Sequence, residues 1–230
     1  MRLLGPLHLA ILGTVAAITA ALSILVRRQK LSATAVRLTI GYGLAANEII
    51  WWIFRYSHEG FRFPFDLPLQ LCDASLWFTV LASLTLIPWI VEFAYFAGLA
   101  GAGMALLTPD LWSPWPSYPA VYFFVAHGGI VVGAAVLVYG RITVLRRGAV
   151  WRAFGMLLAY AAAVGTFDAI YKTNYMYLRQ KPAKVSLLDA LGPWPIYLIA
   201  AAGVGLGLFW LLWIPCRTSG VTRDRSPARP

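Results

Sequence analysis

The sequence predicts an all-α protein: a polytopic integral membrane helical bundle of about seven transmembrane helices. Three observations carry this expectation. Of the 230 residues, 60% are hydrophobic and only 12% charged, whereas a soluble domain carries about a quarter charged residues. Mean hydropathy is +0.70, so the polar surface is too small to cover a globule and lipid must be the main solvent. Finally, the apolar runs are about 20 residues long and lack period-two alternation. In a medium where backbone groups must be satisfied internally, that pattern selects helices over a closed barrel.

The first expected span, 6–26, is too long for the apolar region of a signal peptide. Its positive cluster (Arg27, Arg28, Lys30) follows rather than precedes it, so it reads as a retained helix. The second span is 36–54. Residues 67–108 form one long apolar stretch, divided into spans 67–87 and 89–108 at Ile87-Pro88-Trp89 because proline ends or kinks a helix. The last three spans are 119–140, 151–171 and 194–214. Each can cross ~30 Å of hydrocarbon at ~1.5 Å per residue. Residues 1–214 thus form one seven-helix domain, and the Arg-, Ser- and Pro-rich segment 215–230 reads as a disordered basic cytoplasmic tail.

Orientation follows from the basic residues. The 1–2 loop (Arg27, Arg28, Lys30, Arg37), the 5–6 loop (Arg141, Arg146, Arg147, Arg152) and the tail (Arg217, Arg223, Arg225, Arg229) hold twelve of the nineteen Lys and Arg. The richer side is cytoplasmic, which puts the N-terminus outside, the C-terminus inside and the chain in the plasma (inner) membrane. The 6–7 loop departs from the rule, with Lys172, Arg179, Lys181 and Lys184 on the outer side. Either that loop is misplaced or function demands positive charge there. Trp51, Trp52, Trp112, Trp115 and Trp194 at outer ends, and Trp89, Trp151, Trp210 and Trp213 at inner ends, read as two aromatic belts. The small-residue pairs Gly98/Ala102, Gly129/Gly133 and Gly203/Gly207 allow close helix packing. No internal repeat points to an inverted-repeat transporter.

The net charge of +10 sits in short loops and the tail, where head groups and topology account for it, so nucleic acid is not an expected partner. The expected partners are membrane lipids, an anionic phospholipid or a lysolipid among them. The two cysteines, Cys72 and Cys216, fall at opposite faces and are not expected to pair.

Ionisable and polar groups within a membrane are costly, and each is a functional candidate. Asn47 and Glu48 lie about two turns before the outer end of the second span, and Cys72 and Asp73 near the start of the third. Thr108 and Asp110 end the fourth, His127 lies about two turns into the fifth, and Asp168, Lys172 and Asn174 end the sixth. All fall in the outer third, which points to a polar cavity opening outward; Glu92, near the inner end, reads as reaching the head groups. Structural roles stand beside this. Asp168 and Lys172 are spaced i, i+4 and can pair, Asn47 can bond between helices, Glu48 can pair with Arg55 or Arg62, and Asp110 can cap a turn. Cys72 and His127 form the pair with chemistry, a thiol nucleophile and the imidazole that activates it, with Asp73 available to orient the ring. No metal or cofactor is expected: of three histidines, His8 and His58 lie outside the cluster. There is no phosphate-binding glycine loop, G-x-S-x-G or H-E-x-x-H.

Five ordered motifs carry a resemblance. They are Leu67-Pro68-Leu69-Gln70-Leu71-Cys72-Asp73, Gly98-Leu99-Ala100-Gly101 with Ala105-Leu106-Leu107-Thr108-Pro109-Asp110, Phe123-Phe124-Val125-Ala126-His127-Gly128, Thr173-Asn174-Tyr175-Met176-Tyr177-Leu178 and Leu191-Gly192-Pro193-Trp194-Pro195. Over about residues 40–200 the chain resembles the YwaF-type bacterial integral membrane proteins, grouped with a eukaryotic multi-pass family of cysteine-dependent phospholipid acyltransferases. The resemblance implies Cys72 as the acyl-accepting nucleophile and His127 as its base. This chain has Gln70 where members carry a histidine near the cysteine. Asn47, Asp73 or Asn174 would orient groups or stabilise charge, and Lys172 and Lys181 would meet a head-group phosphate. Tyr175 belongs to the same candidate set. Two other functions remain open: a transporter or binding protein for a small solute, in which Glu48, Asp73 and Asp168 carry protons or cations, and a scaffold whose polar cluster only holds helices together.

Overall fold

The computed structural model describes residues 2–111, 113–183 and 186–218; Trp112, Lys184 and 219–230, with Arg223, Arg225 and Arg229, lie outside the described residues. Among the described residues seven long helices follow one another: α1 Pro6–Arg27, α2 Ala33–Glu59, α3 Leu71–Thr85, α4 Pro88–Leu107, α5 Tyr118–Tyr139, α6 Ala149–Tyr171 and α7 Ile196–Thr218. Five of them (α1, α4, α5, α6 and α7) are long and apolar enough to cross a membrane. α2 has 27 residues but carries Arg37, Glu48, Arg55, His58 and Glu59. α3 has 15 residues and reaches only ~22 Å at ~1.5 Å per residue. The expectation of seven spans therefore meets five helices that qualify on length and apolarity, with α2 and α3 packed among them.

Boundaries follow local chemistry. Leu86 ends α3 in the left-handed region (φ 56°) and Pro88 opens α4. Proline suits a first helical turn, where its missing N–H has no helical partner, so the expected break at Ile87-Pro88-Trp89 is where the chain turns. α7 continues through Pro215 to Thr218, past the expected end at 214.

Successive helices alternate in direction, and α5 forms the hub against α1, α2, α3 and α4. Glycines permit the approach. A methyl group on Gly129 would meet Leu44 at 2.5 Å, and one on Gly133 would meet Thr79 at 2.7 Å. Gly98 faces Ile130 in the same way and Ala102 is buried. A methyl group on Gly203 or Gly207 would meet nothing within 4 Å, so the third small-residue pair brings no other helix close among the described residues. The tryptophans also divide. Trp89, Trp151, Trp194 and Trp210 are exposed, as a belt requires, while Trp51 and Trp213 are buried in the core.

At the end of the bundle away from the polar cluster, Glu92 does not reach outward. It is buried, and its carboxylate receives four hydrogen bonds of 2.7–3.0 Å from Arg146 and Arg152. A carboxylate flanked by two guanidiniums is better served by pairing than by reaching water. Arg37 donates at 2.7 and 2.9 Å to the carbonyls of Ser83 and Leu84 and closes the end of α3. Three of the arginines that set the charge asymmetry are thus structural as well.

Candidate functional site

At the other end, the last turns of α2 and α4, the first turns of α3 and α5, and the 172–195 connection enclose a cavity of about 550 Å³. Six of the twelve residues expected at a site line it: Cys72, Asp73, Thr108, Asp110, His127 and Tyr175. Thr108 also donates to the carbonyl of Met104, closing α4. The start of α3 is fixed by Asp73, whose carboxylate accepts from the backbone N–H of Gln70 at 3.1 Å. That bond caps the helix and holds Cys72, the second residue of α3, at the cavity wall.

His127 is set from below. Its Nδ1 lies 2.7 Å from the carbonyl of Phe123, one turn earlier. A carbonyl only accepts, so Nδ1 carries the proton and the neutral ring presents Nε2 as the basic lone pair. The residue expected to orient His127 was Asp73, but Asp73 is engaged with Gln70 and the Phe123 carbonyl does the orienting instead. Cys72 and His127 share one cavity without being hydrogen-bonded to each other.

The other candidates stand behind or beside the wall. Glu48 is buried, and its two oxygens accept from Trp52 Nε1 at 2.6 Å and from the Tyr122 hydroxyl at 2.5 Å. It does not pair with Arg55 or Arg62, which both bind Asp66, at 2.7 and 2.9 Å. Asn47 faces a second, apolar cavity between α1, α2 and α5. Asp168 does not pair with Lys172. Fully buried, it accepts from the Thr173 hydroxyl at 2.6 Å and the Tyr175 N–H at 3.0 Å, folding the connection back at the end of α6. The reason is local: Lys172 leaves the helix in the left-handed region (φ 56°), which turns its side chain off the shared helix face.

Asn174 binds the backbone of Arg179 and Gln180. Lys181 sits 3.7 Å from Asp189 and over the Tyr197 ring, and Arg179 donates to the Thr173 carbonyl. So the described basic residues Arg179 and Lys181 are engaged within the connection itself. Neither Lys172 nor Lys181 lines the cavity; the basic side chain in its wall is Arg55.

Tyr175 ties the connection to the segment before α3: its hydroxyl donates to the Pro64 carbonyl at 2.7 Å and accepts from the Leu67 N–H at 2.9 Å. The Gln70 side-chain carbonyl accepts from Met176 N–H at 2.9 Å. Asp66 is buried in the same layer, and the hydrogen bond from Arg62 above all holds its carboxyl below the usual carboxylate range.

Sequence reasoning missed Tyr122, Trp51, Arg55, Glu59 and Gln70 in the wall. His8, expected outside the cluster, is buried on α1, where its Nε2 donates to the Leu106 carbonyl at 2.7 Å, and it does not line the cavity. The available signal was position: Trp51 and Arg55 follow Glu48 at helical spacings, and Tyr122 precedes His127 on the same helix.

Residues 3–213 match the family model described as the TMEM164 family, and the chain belongs to that family of membrane proteins. No curated protein and no solved structure matches it.

Proposed function

We propose that this TMEM164-family membrane protein is a lipid acyltransferase working through Cys72 and His127. The observation that carries the reading is that these two side chains, from α3 and α5, line one cavity of about 550 Å³, a volume in the range that holds a small ligand. The Cys72 thiol gives its proton to His127 Nε2 and attacks the ester carbonyl of a donor lipid. The C–O bond breaks, His127 returns the proton to the leaving alcohol, and the acyl group rests on Cys72 as a thioester. A lysolipid hydroxyl then takes the acyl group and the thiol is regenerated. The resemblance to the cysteine-dependent acyltransferases through the Leu71-Cys72-Asp73 and Phe123–Gly128 motifs supports the same roles.

The proposal keeps seven spanning helices, with α2 and α3 completing the five apolar ones. It places the cavity outside, the N-terminus outside and the C-terminus in the cytoplasm of the plasma membrane. Among the described lining residues, three carboxylates (Glu59, Asp73, Asp110) face one guanidinium, Arg55. A zwitterionic head group fits this lining, with its phosphate at Arg55 and its ammonium at the carboxylates.

That lining also favours a second reading, a binding site or path for a cationic solute. Protein in vesicles of labelled phospholipid and lysolipid separates the two. Acyl exchange abolished by both Cys72→Ser and His127→Ala, in protein that stays folded, supports transfer. Full exchange in either variant overturns it. Cation binding that survives Cys72→Ala supports the second reading.

A further inference from the structure

The second cavity, of about 420 Å³, lies between α1, α2 and α5, on the opposite side of α5 from Cys72. Ile18 of α1 and Val125 of α5 edge it at 45% and 48% exposed, so it opens sideways on the bundle surface. Apart from Thr39 and Asn47 its walls are apolar. Gly43 and Gly128 present backbone rather than side chain to it, which lets a ligand approach closely. Asn47 Nδ2 is buried and has no hydrogen-bond partner among the described residues.

The depth of that amide follows from helix register. Leu44 lies against Gly129 and Ile40 against Gly133, so α2 and α5 run antiparallel and Asn47 stands level with Ala126. That level is ~12 Å inside α5 from its first residue, Tyr118. The 22 residues of α5 are ~33 Å long, close to the ~30 Å of a hydrocarbon core. Asn47 therefore lies within hydrocarbon, where an unpaired amide N–H is costly. Ester carbonyls of bilayer phospholipids stay at the edge of that core, too far out to reach it.

What the slot lacks is an acceptor. A ligand that completes it is uncharged, mostly hydrocarbon, and carries an oxygen lone pair well below the interface. A hydroxyl would add a proton needing its own partner, whereas a carbonyl brings lone pairs only. An isoprenoid quinone has this chemistry: a planar neutral head with ring carbonyls, and a long apolar tail.

We propose that the slot binds an isoprenoid quinone, one ring carbonyl accepting from Asn47 Nδ2 and the tail leaving between Ile18 and Val125 into the bilayer. The volume is in the range that holds a small ligand. The site is independent of the acyltransferase reading, because the two cavities share no lining residue.

The test offers menaquinone-4 and squalene, an isoprenoid hydrocarbon without oxygen, to the full-length protein in detergent micelles. Native mass spectrometry counts what is retained, and infrared spectroscopy reads the quinone carbonyl stretch. Wild type is expected to retain one menaquinone-4 with ~10-fold preference over squalene, its carbonyl band shifted down by hydrogen bonding. Asn47→Leu should lose both the preference and the shift. Gly43→Leu should lose the quinone without a lower melting temperature, since a methyl group there would meet nothing within 4 Å. Equal retention of the two probes by wild type, or an unshifted carbonyl band, overturns the proposal whether or not the variants fold. So does a preference that persists in folded Asn47→Leu. Displacement of menaquinone-4 by an equal amount of diester phospholipid also overturns it and assigns the slot to an ordinary bilayer lipid.

Discussion

Glu92 shows what a single buried carboxylate does in this chain. Arg146 and Arg152, 45% and 39% exposed, converge on it. Removing one partner of a buried pair costs about 3–5 kcal/mol, and the partial exposure of both guanidiniums lowers that toward ~2 kcal/mol. Glu92→Gln should therefore lower the melting temperature in detergent while leaving the proposed acyl transfer at the far end intact; an unchanged melt contradicts the pairing. Asp66 gives a pH dependence. Its carboxyl is held low by Arg62, so its contribution is present above the unfolded carboxylate range and is lost as pH falls through the folded value. Asp66→Asn should flatten the acid side of the stability profile, measured by thermal melts across pH. At this scale the sequence exposed residue type and depth but not partners. Asp73, Glu48 and Asp168 were all legible as costly polar groups. Trp52, one turn after Glu48, and Thr173, five residues after Asp168, were within local reach, whereas Tyr122 approaches Glu48 from another helix and had no local signature.

Helix limits were the most legible elements, because a proline at a first turn and a long apolar run act locally. Pro88 is the clearest case. The small-residue pairs were less so, since spacing shows that a close approach is possible and not that a helix is there to make it. Gly129 and Gly133 lie against α2 and α3, whereas Gly203 and Gly207 on α7 face open space. Gly129→Leu should overpack the bundle by ~1–3 kcal/mol, and Gly203→Leu should leave the melting temperature nearly unchanged. Equal losses would mean that α7 packs as tightly as α5. The 172–195 connection was the least legible element. Its basic residues read as a topology anomaly, yet Arg179 and Lys181 are engaged within the connection, and Tyr175 and Met176 fasten it over the start of α3.

Across the whole molecule the charge asymmetry and the cavity lie at opposite ends. The arginines of one end lock Glu92 and close α3, while the other end gathers Cys72, His127, Tyr122 and Arg55 around one space. The apolar composition made the membrane class plain. The convergence of the site was legible only as a common depth, because depth along a helix can be counted from sequence and rotation around the bundle cannot. That is why Asn47 and Lys172 shared the level of Cys72 without sharing its cavity. The most direct measurement of the central claim is the lipid profile of cells expressing wild type, Cys72→Ala and His127→Ala at matched membrane levels. A change in acyl composition present with wild type and lost in both variants is expected; a change that persists in either variant would contradict a Cys72–His127 lipid enzyme.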